Sequence, residues 1–196
     1  MKQADQPMSR GRPRDKEAGA AILRAAQKLL AETGYARMSL DAVAALAGVT
    51  KPTIYRRFRG KSDLATAAIA DLQAQEAPEP RGACRDDLVA ALRHFQKGLG
   101  RPRGMAMIGT VLVEEGETPE LLESFRERVV LPRRRMLLRV LEAAAERKEI
   151  RPGADLDAVV NLLVGSFYAR HLTGQGIPRD WPERVVDEVW RGLSRS

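Results

Sequence analysis

The sequence predicts an all-α chain: an N-terminal three-helix helix-turn-helix unit followed by a C-terminal helical domain. Three observations lead there. Apolar residues recur at spacings of three and four almost from end to end, and no segment alternates as a strand would. Two short helical segments meet at Gly48-Val49, the first with a buriable face and the second polar and basic. The net charge of +7 is confined to the first third: residues 1 to 61 hold thirteen Lys or Arg against five Asp or Glu, and the rest is near neutral.

The first helix spans residues 16 to 33, where Ala18, Ile22, Ala25, Ala26, Leu29 and Leu30 line one face and Gly34 is a stop. Ser39 can cap a second helix ending at Ala47, with Asp41 in its first turn and Gly48 supplying the tight turn. Thr50 can cap a third. Pro52 falls in that helix's first turn, where its missing N–H costs nothing, and the helix ends near Arg59-Gly60. A fourth opens at Lys61-Ser62 and runs through Leu72.

The third helix must bury Ile54 and Phe58 against Val43, Leu46 and the first helix. Its other face then presents Lys51, Thr53, Tyr55, Arg56 and Arg57 to solvent. A B-DNA major groove about 12 Å wide admits such a helix, and residues at its N-terminus meet base edges. Lys61, at the start of the next helix, is placed to hold a phosphate. A solvated basic face is the alternative; the charge asymmetry together with Gly48, Thr50 and Pro52 favours DNA.

The run SLDAVAALAGVTKPTIYRRFRGKSDL resembles the DNA-binding signature of the TetR/AcrR transcriptional regulators: Ala-rich helix, Ala-Gly-Val, T-x-Y-x-x-F, then K-x-x-L. The resemblance implies a three-helix DNA-binding unit, a C-terminal helical domain with an inducer pocket, and a homodimer bound to a double-stranded operator. It places Lys51, Pro52, Thr53, Tyr55, Arg56, Arg57 and Lys61 on positions that touch DNA in family members. Ser39 and Thr50, the two capping residues, complete the candidate contact set. It also implies a repressor released when inducer reorients the fourth helix, residues 61 to 75. A DNA-binding dimer with no small-molecule switch stays open beside it.

Ahead of the first helix, residues 1 to 15 read as a basic flexible arm. Its RGRP core resembles the AT-hook, whose arginines enter a narrow minor groove, so Arg10, Arg12 and Arg14 join the DNA candidates; a disordered basic leader is the alternative. The helix-turn-helix domain is then 16–76, and the C-terminal domain 77–196 begins where Pro78, Pro80 and Gly82 interrupt helical sequence.

Five further helices are expected, at residues 85 to 98, 104 to 115, 118 to 147, 155 to 173 and 181 to 193, with Pro132 kinking or splitting the third of them near Val129. The stretch EEGETPELLESFRERVVLPRRRMLLRVLEAAAERKEIRPGADLD also resembles the C-terminal domain of a TetR subgroup. Phe95, Met105, Ile108, Leu112, Leu121, Phe125 and Met136 are the apolar candidates for a ligand pocket, with Tyr168 and His171 as polar ones; ordinary core packing is the alternative for each. On the last two helices Leu156, Val160, Leu163, Phe167, Trp181, Val185, Val189 and Trp190 are candidates for a twofold dimer interface, unless they complete the subunit's own core.

An enzyme is disfavoured: there is no G-x-S-x-G, no H-E-x-x-H and no glycine-rich phosphate loop, and the two His are far apart. A single cysteine, Cys84, excludes an intrachain disulfide and a multi-cysteine zinc site, and reads as a small, partly buried side chain. No metal or cofactor is expected. Without an apolar run of about 20 residues or a signal-peptide core, the expected location is the cytoplasm.

Overall fold

A computed structural model describes residues 12–72, 78–101 and 104–194, with side chains from Asp15 onward. Ten α-helices follow one another: α1 (Arg12–Arg37), α2 (Leu40–Ala47), α3 (Lys51–Tyr55), α4 (Lys61–Asp71), α5 (Cys84–Leu99), α6 (Gly104–Val113), α7 (Pro119–Phe125), α8 (Leu131–Glu146), α9 (Leu156–Leu172) and α10 (Trp181–Leu193). A π-helical turn, Arg126–Val130, joins α7 to α8. Among the described residues the only β feature is an isolated bridge between Ile150 and Ser194. No helix among them is long and apolar enough to cross a membrane.

The helices pack as two units that do not divide at residue 76. One comprises Met1–Asp71 with Ala106–Ser124; the other comprises Leu72–Met105 with Phe125–Ser196. In the first, α1 packs on α2 and α4, and α2 on α3. Its core is Ile22, Ala26, Leu30, Met38, Val43, Ile54, Leu64, Ala68 and Ile69, all buried. Of the side chains expected around Ile54, Phe58 is half-buried and Leu46 is exposed.

α1 is longer than its apolar stripe predicts. Gly34 takes φ 76°, ψ 172°, which interrupts the helix without ending it, and one more turn carries on to Arg37. Residues with a Cβ rarely adopt such backbone. The turn after Gly34 puts Tyr35 and Met38 into the core. At the other end α1 begins at Arg12, so Arg12 and Arg14, expected in an extended arm, have helical backbone. Arg10 lies outside the described residues.

The turn between α2 and α3 follows its residues. Gly48 sits at φ 66°, ψ 33°, its N–H bonding to Ala45 O at 3.3 Å while Val49 N–H reaches Ala44 O at 3.0 Å. That pair satisfies the last carbonyls of α2 and turns the chain into α3.

In the second unit α5 is central, packing on α8, α9 and α10. Leu88, Leu92, Phe95 and Leu99 of α5 meet a core that includes Leu137, Val140 and Leu141 of α8, Val160, Leu163 and Phe167 of α9, and Trp181, Val186 and Leu193 of α10. Asp87 turns the chain into α5 by accepting from Arg81 N at 2.7 Å and Gly82 N at 2.9 Å. Cys84 is buried, its thiol pushed up to about 12 chiefly by that burial.

Pro132 has the expected effect by a route the sequence does not specify. A proline ring clashes with the carbonyl four residues back and offers it no N–H. The chain answers with a wide turn in which Leu131 N–H bonds to Arg126 O, five residues back.

Candidate nucleic-acid interface

Helix α3 is positioned by one fully buried residue. Ile54, 0% exposed, fixes α3 against the core, so the residues around it must face outward. Tyr55 is 53% exposed, Arg56 and Pro52 are exposed, and Lys51 and Thr53 are half-exposed. The helical hydrogen bonding runs past Tyr55 through Arg57 N to Ile54 O at 2.9 Å and Phe58 N to Ile54 O at 2.9 Å.

The caps divide into one that bonds backbone and one that does not. Ser39 Oγ accepts from Ala42 N at 3.1 Å at the start of α2. Thr50 occupies the cap position of α3 with extended backbone and no such bond; its hydroxyl pairs instead with that of Thr53 at 3.0 Å, on the exposed side. Two hydroxyls therefore stand together at the start of α3, where Pro52 has no N–H and Thr53 N bonds to Thr50 O at 2.9 Å, and hydroxyls of this kind can contact a phosphate or base edge.

The basic residues are not equivalent. Arg56 is largely in solvent, with Asp15 at 3.9 Å. Lys51 Nζ lies 3.0 Å from Asp41 Oδ2, and that hydrogen bond raises its pKa. Arg57 is turned inward, with only 16% of its side chain exposed. It donates to Thr53 O at 3.0 Å, to Asp15 O at 3.2 Å and to the Asp15 carboxylate, tying the first turn of α1 to α3.

Lys61 is likewise engaged within the protein. Its ammonium donates to Ala36 O at 3.0 Å and lies 4.2 Å from the centre of the Tyr35 ring; burial lowers its pKa. A cation at the last carbonyls of α1 complements that helix's dipole. Tyr35 and Ser62 share a 2.7 Å hydroxyl hydrogen bond, and burial is the main cause of the raised tyrosine pKa. Asp63 caps α4 by accepting from Arg59 N at 2.8 Å.

The exposed side of α3 thus gathers Thr50, Lys51, Pro52, Thr53, Tyr55 and Arg56, while Ser39 caps the start of α2. Arg57 and Lys61 are held by Asp15 and Ala36. Sequence reasoning missed Asp15 and the pairing of Asp41 with Lys51. Asp15 is 42 positions from its partner Arg57, and no local pattern reveals such a pair.

In the second unit the pocket candidates Phe95 and Phe125 are buried, Met105, Met136 and Tyr168 are half-buried, and His171 is exposed; Ile108 and Leu121 belong to the first unit's core and Leu112 there is exposed. The dimer candidates need correction. Val160, Leu163, Phe167 and Trp181 are buried within their own unit, and of these only Trp181 also lines a groove open at the surface. Leu156, Val185, Val189 and Trp190 are half-buried. The exposed apolar row of α9 is a different one: Ala158, Leu162, Gly165, Ala169 and Leu172.

A helix-turn-helix whose third helix offers an open polar face defines a DNA-binding transcriptional regulator, and comparison with known proteins agrees. Residues 22–68 match the family model for bacterial regulatory proteins of the tetR family, and residues 78–189 that for the tetracyclin repressor-like C-terminal domain. An uncharacterized HTH-type transcriptional regulator of Mycobacterium tuberculosis is 34% identical over 179 residues, covering 90% of this chain and 86% of that protein. The DNA-binding transcriptional repressor TetR of Mycobacteroides abscessus is 32% identical over 184 residues, covering 90% and 93%. The crystal structure of a TetR family transcription regulator, 27% identical, superposes with a TM-score of 0.67 over 91% of this chain and 100% of the other. The chain belongs to the TetR family of transcriptional regulators; it is not an enzyme.

Proposed function

We propose that this regulator is a homodimeric repressor that occupies a palindromic operator and leaves it when a small molecule binds the C-terminal unit. The observation that carries the reading is that α9 is apolar on two opposite sides. One side, with Val159, Val160, Leu163 and Phe167, is buried in its own unit. The other, Ala158, Leu162, Gly165, Ala169 and Leu172, is spaced four, three, four and three along the helix and faces solvent, with Leu162 61% and Leu172 83% exposed.

A helix apolar all round belongs in an interior, so the second row calls for a partner, and Gly165 and Ala169 permit close approach of another helix. Beside it a groove of about 520 Å³ between α9 and α10 is lined by Leu162, Ser166, Trp181, Val185 and Val189 among others. A second copy docked there by a twofold axis sets two recognition helices on one face of DNA. Half-sites then lie about one helical turn, roughly 34 to 36 Å, apart or slightly more.

Repression is supported by the relative from Mycobacteroides abscessus, which bears the name of a repressor. Release by ligand is supported by the match of residues 78–189 to a tetracyclin repressor-like C-terminal domain. Effector must bind the DNA-free state more tightly, with about 1 to 3 kcal/mol of coupling the usual range.

The test is a mobility shift on the DNA flanking its own gene, with nonspecific competitor, for wild type and for Tyr55→Ala/Arg56→Ala. Saturable binding lost in the variant and occurring as a dimer is the expected result. Binding as a monomer in sedimentation, or retention of specific binding by the variant, overturns the reading.

A further inference from the structure

A carboxylate stands beside the face that meets a polyanion. Asp41, in the first turn of α2, reaches across to the start of α3, where its Oδ2 accepts from Lys51 Nζ at 3.0 Å. The two side chains are 73% and 42% exposed. Local stability does not account for the pair. α2 is already capped by Ser39, whose Oγ accepts from Ala42 N, and an ion pair this open to water contributes little to folding. An acid in the first turn complements the dipole of α2, but that role asks for no lysine at 3.0 Å. Meanwhile a negative charge beside DNA works against the phosphate attraction that supplies much of the affinity. Only a hydrogen-bond donor on the DNA offsets it, and the major groove offers two, cytosine N4 and adenine N6.

The pair complements the edge of one base pair. Within a G·C pair the cytosine N4 donor bonds to guanine O6, so those atoms stand about 2.9 Å apart, the ordinary N–H···O distance. Lys51 Nζ and Asp41 Oδ2 are 3.0 Å apart and have the opposite roles, the ammonium able to face O6 and the carboxylate N4. An ammonium has three N–H donors and a carboxylate about four acceptor positions, so the bond inside the protein leaves each able to make another. Adenine N6 and thymine O4 repeat that donor and acceptor. There, however, the thymine methyl group lies beside O4, whereas guanine presents N7 next to O6 as a second acceptor for the ammonium.

The geometry points to Lys51 and Asp41 as a joint specificity determinant that reads one G·C base pair in each operator half-site: Lys51 donates to guanine O6 and N7, and Asp41 accepts from cytosine N4. Asp41 carries the discrimination. Opposite an edge with no donor, its charge faces other acceptors and the phosphates, so a wrong sequence is actively rejected. This inference rests on the reading above, in which the exposed side of α3 meets operator DNA, and names a base pair that it reads.

The experiment selects binding sites for the full-length protein from random duplex DNA in the presence of nonspecific competitor, and repeats the selection with Asp41→Ala and Lys51→Ala. The wild type is expected to require one G·C pair per half-site that becomes degenerate in both variants, at the same position. On the selected operator, 7-deazaguanine in place of that guanine removes N7 and should weaken wild-type binding by about five- to tenfold. This measurement needs no variant to fold. Asp41→Ala should also bind random duplex several-fold more tightly at low salt, because it has lost a negative charge; a damaged fold would move that binding the other way. Relaxation at different positions or at none, a shared position that holds A·T, a 7-deazaguanine operator bound like the natural one, or parallel loss of random and operator binding in Asp41→Ala overturns the proposal. Tyr55→Ala/Arg56→Ala separates the possible failures. If that variant loses the operator while Asp41→Ala and Lys51→Ala keep the full sequence preference, α3 reads DNA and this pair does not. If the wild type selects no sequence, the reading of α3 falls together with the proposal.

Discussion

Arg56 and Arg57 are adjacent and carry the same charge, yet their surroundings assign them different tasks, and substituting each with alanine separates the two. Arg57 donates to Thr53 O, Asp15 O and the Asp15 carboxylate, and its side chain is 16% exposed. Hydrogen bonds involving a charged group contribute about 1.5 to 3 kcal/mol, but Asp15 is 63% exposed and solvent replaces much of that interaction. Arg57→Ala is therefore expected to cost about 1 to 2 kcal/mol of stability. For a chain of this size that corresponds to roughly 2 to 8 °C in the unfolding midpoint. Arg56→Ala should stay within about 0.5 kcal/mol of wild type, while losing roughly 1 to 3 kcal/mol of specific DNA binding if it reads a base. The assay pairs thermal unfolding at fixed protein concentration with a mobility shift, and adds the double variant with Asp15→Ala, whose effects should be less than additive. If Arg57→Ala melted like wild type and lost DNA binding as Arg56→Ala does, the reasoning would be refuted, because Arg57 would then have to leave Asp15 and serve the DNA directly.

Three further outcomes follow from particular contacts. Leu162→Glu puts a charge on the exposed row of α9 and should yield a folded monomer in sedimentation, with operator affinity down at least roughly tenfold; a dimer of unchanged affinity would count against that row. Lys61→Met should lower stability by about 0.5 to 1.5 kcal/mol, through its lost bond to Ala36 O, and leave the salt dependence of DNA binding unchanged; a slope reduced by about 1 would instead mark a phosphate contact. Cys84 should resist a thiol reagent at pH 8 until the protein unfolds, since burial pushes its thiol up to about 12. Below the ordinary thiol range it is protonated in both states, so its contribution to stability is complete there. It is lost as pH climbs towards 12, where only the unfolded chain ionises.

Much of this architecture could be read from residue spacing, because amphipathic period, caps and breakers act over one or two turns. Ser39, Gly48 and Pro52 each do what their chemistry predicts, and Pro132 disturbs its helix where expected. What escaped were choices made by distant residues. Nothing near Arg57 or Lys61 in sequence shows that Asp15 and Ala36 would hold them. α9 escaped for another reason: apolar residues surround it, so its sequence does not say which side turns inward. The side through Val160, Leu163 and Phe167 became core, and the side through Leu162 and Leu172 stayed outside. Arg133, whose guanidinium carbon lies 4.4 Å from the centre of the Phe95 ring, was passed over because it opens a run of three arginines, and only the phase of the helix after the π turn distinguishes it from Arg134 and Arg135.

The packing of Ala106–Ser124 with the first 71 residues has a consequence for exchange between relatives. A DNA-reading head that is one continuous stretch can be grafted at a single joint. Here the head is completed by a segment that returns from much later in the chain, so a chimera joined once after α4 would combine a foreign α6 and α7 with the native N-terminal helices. Transplanting operator specificity intact therefore requires two crossovers, or else substitutions confined to the open face of α3.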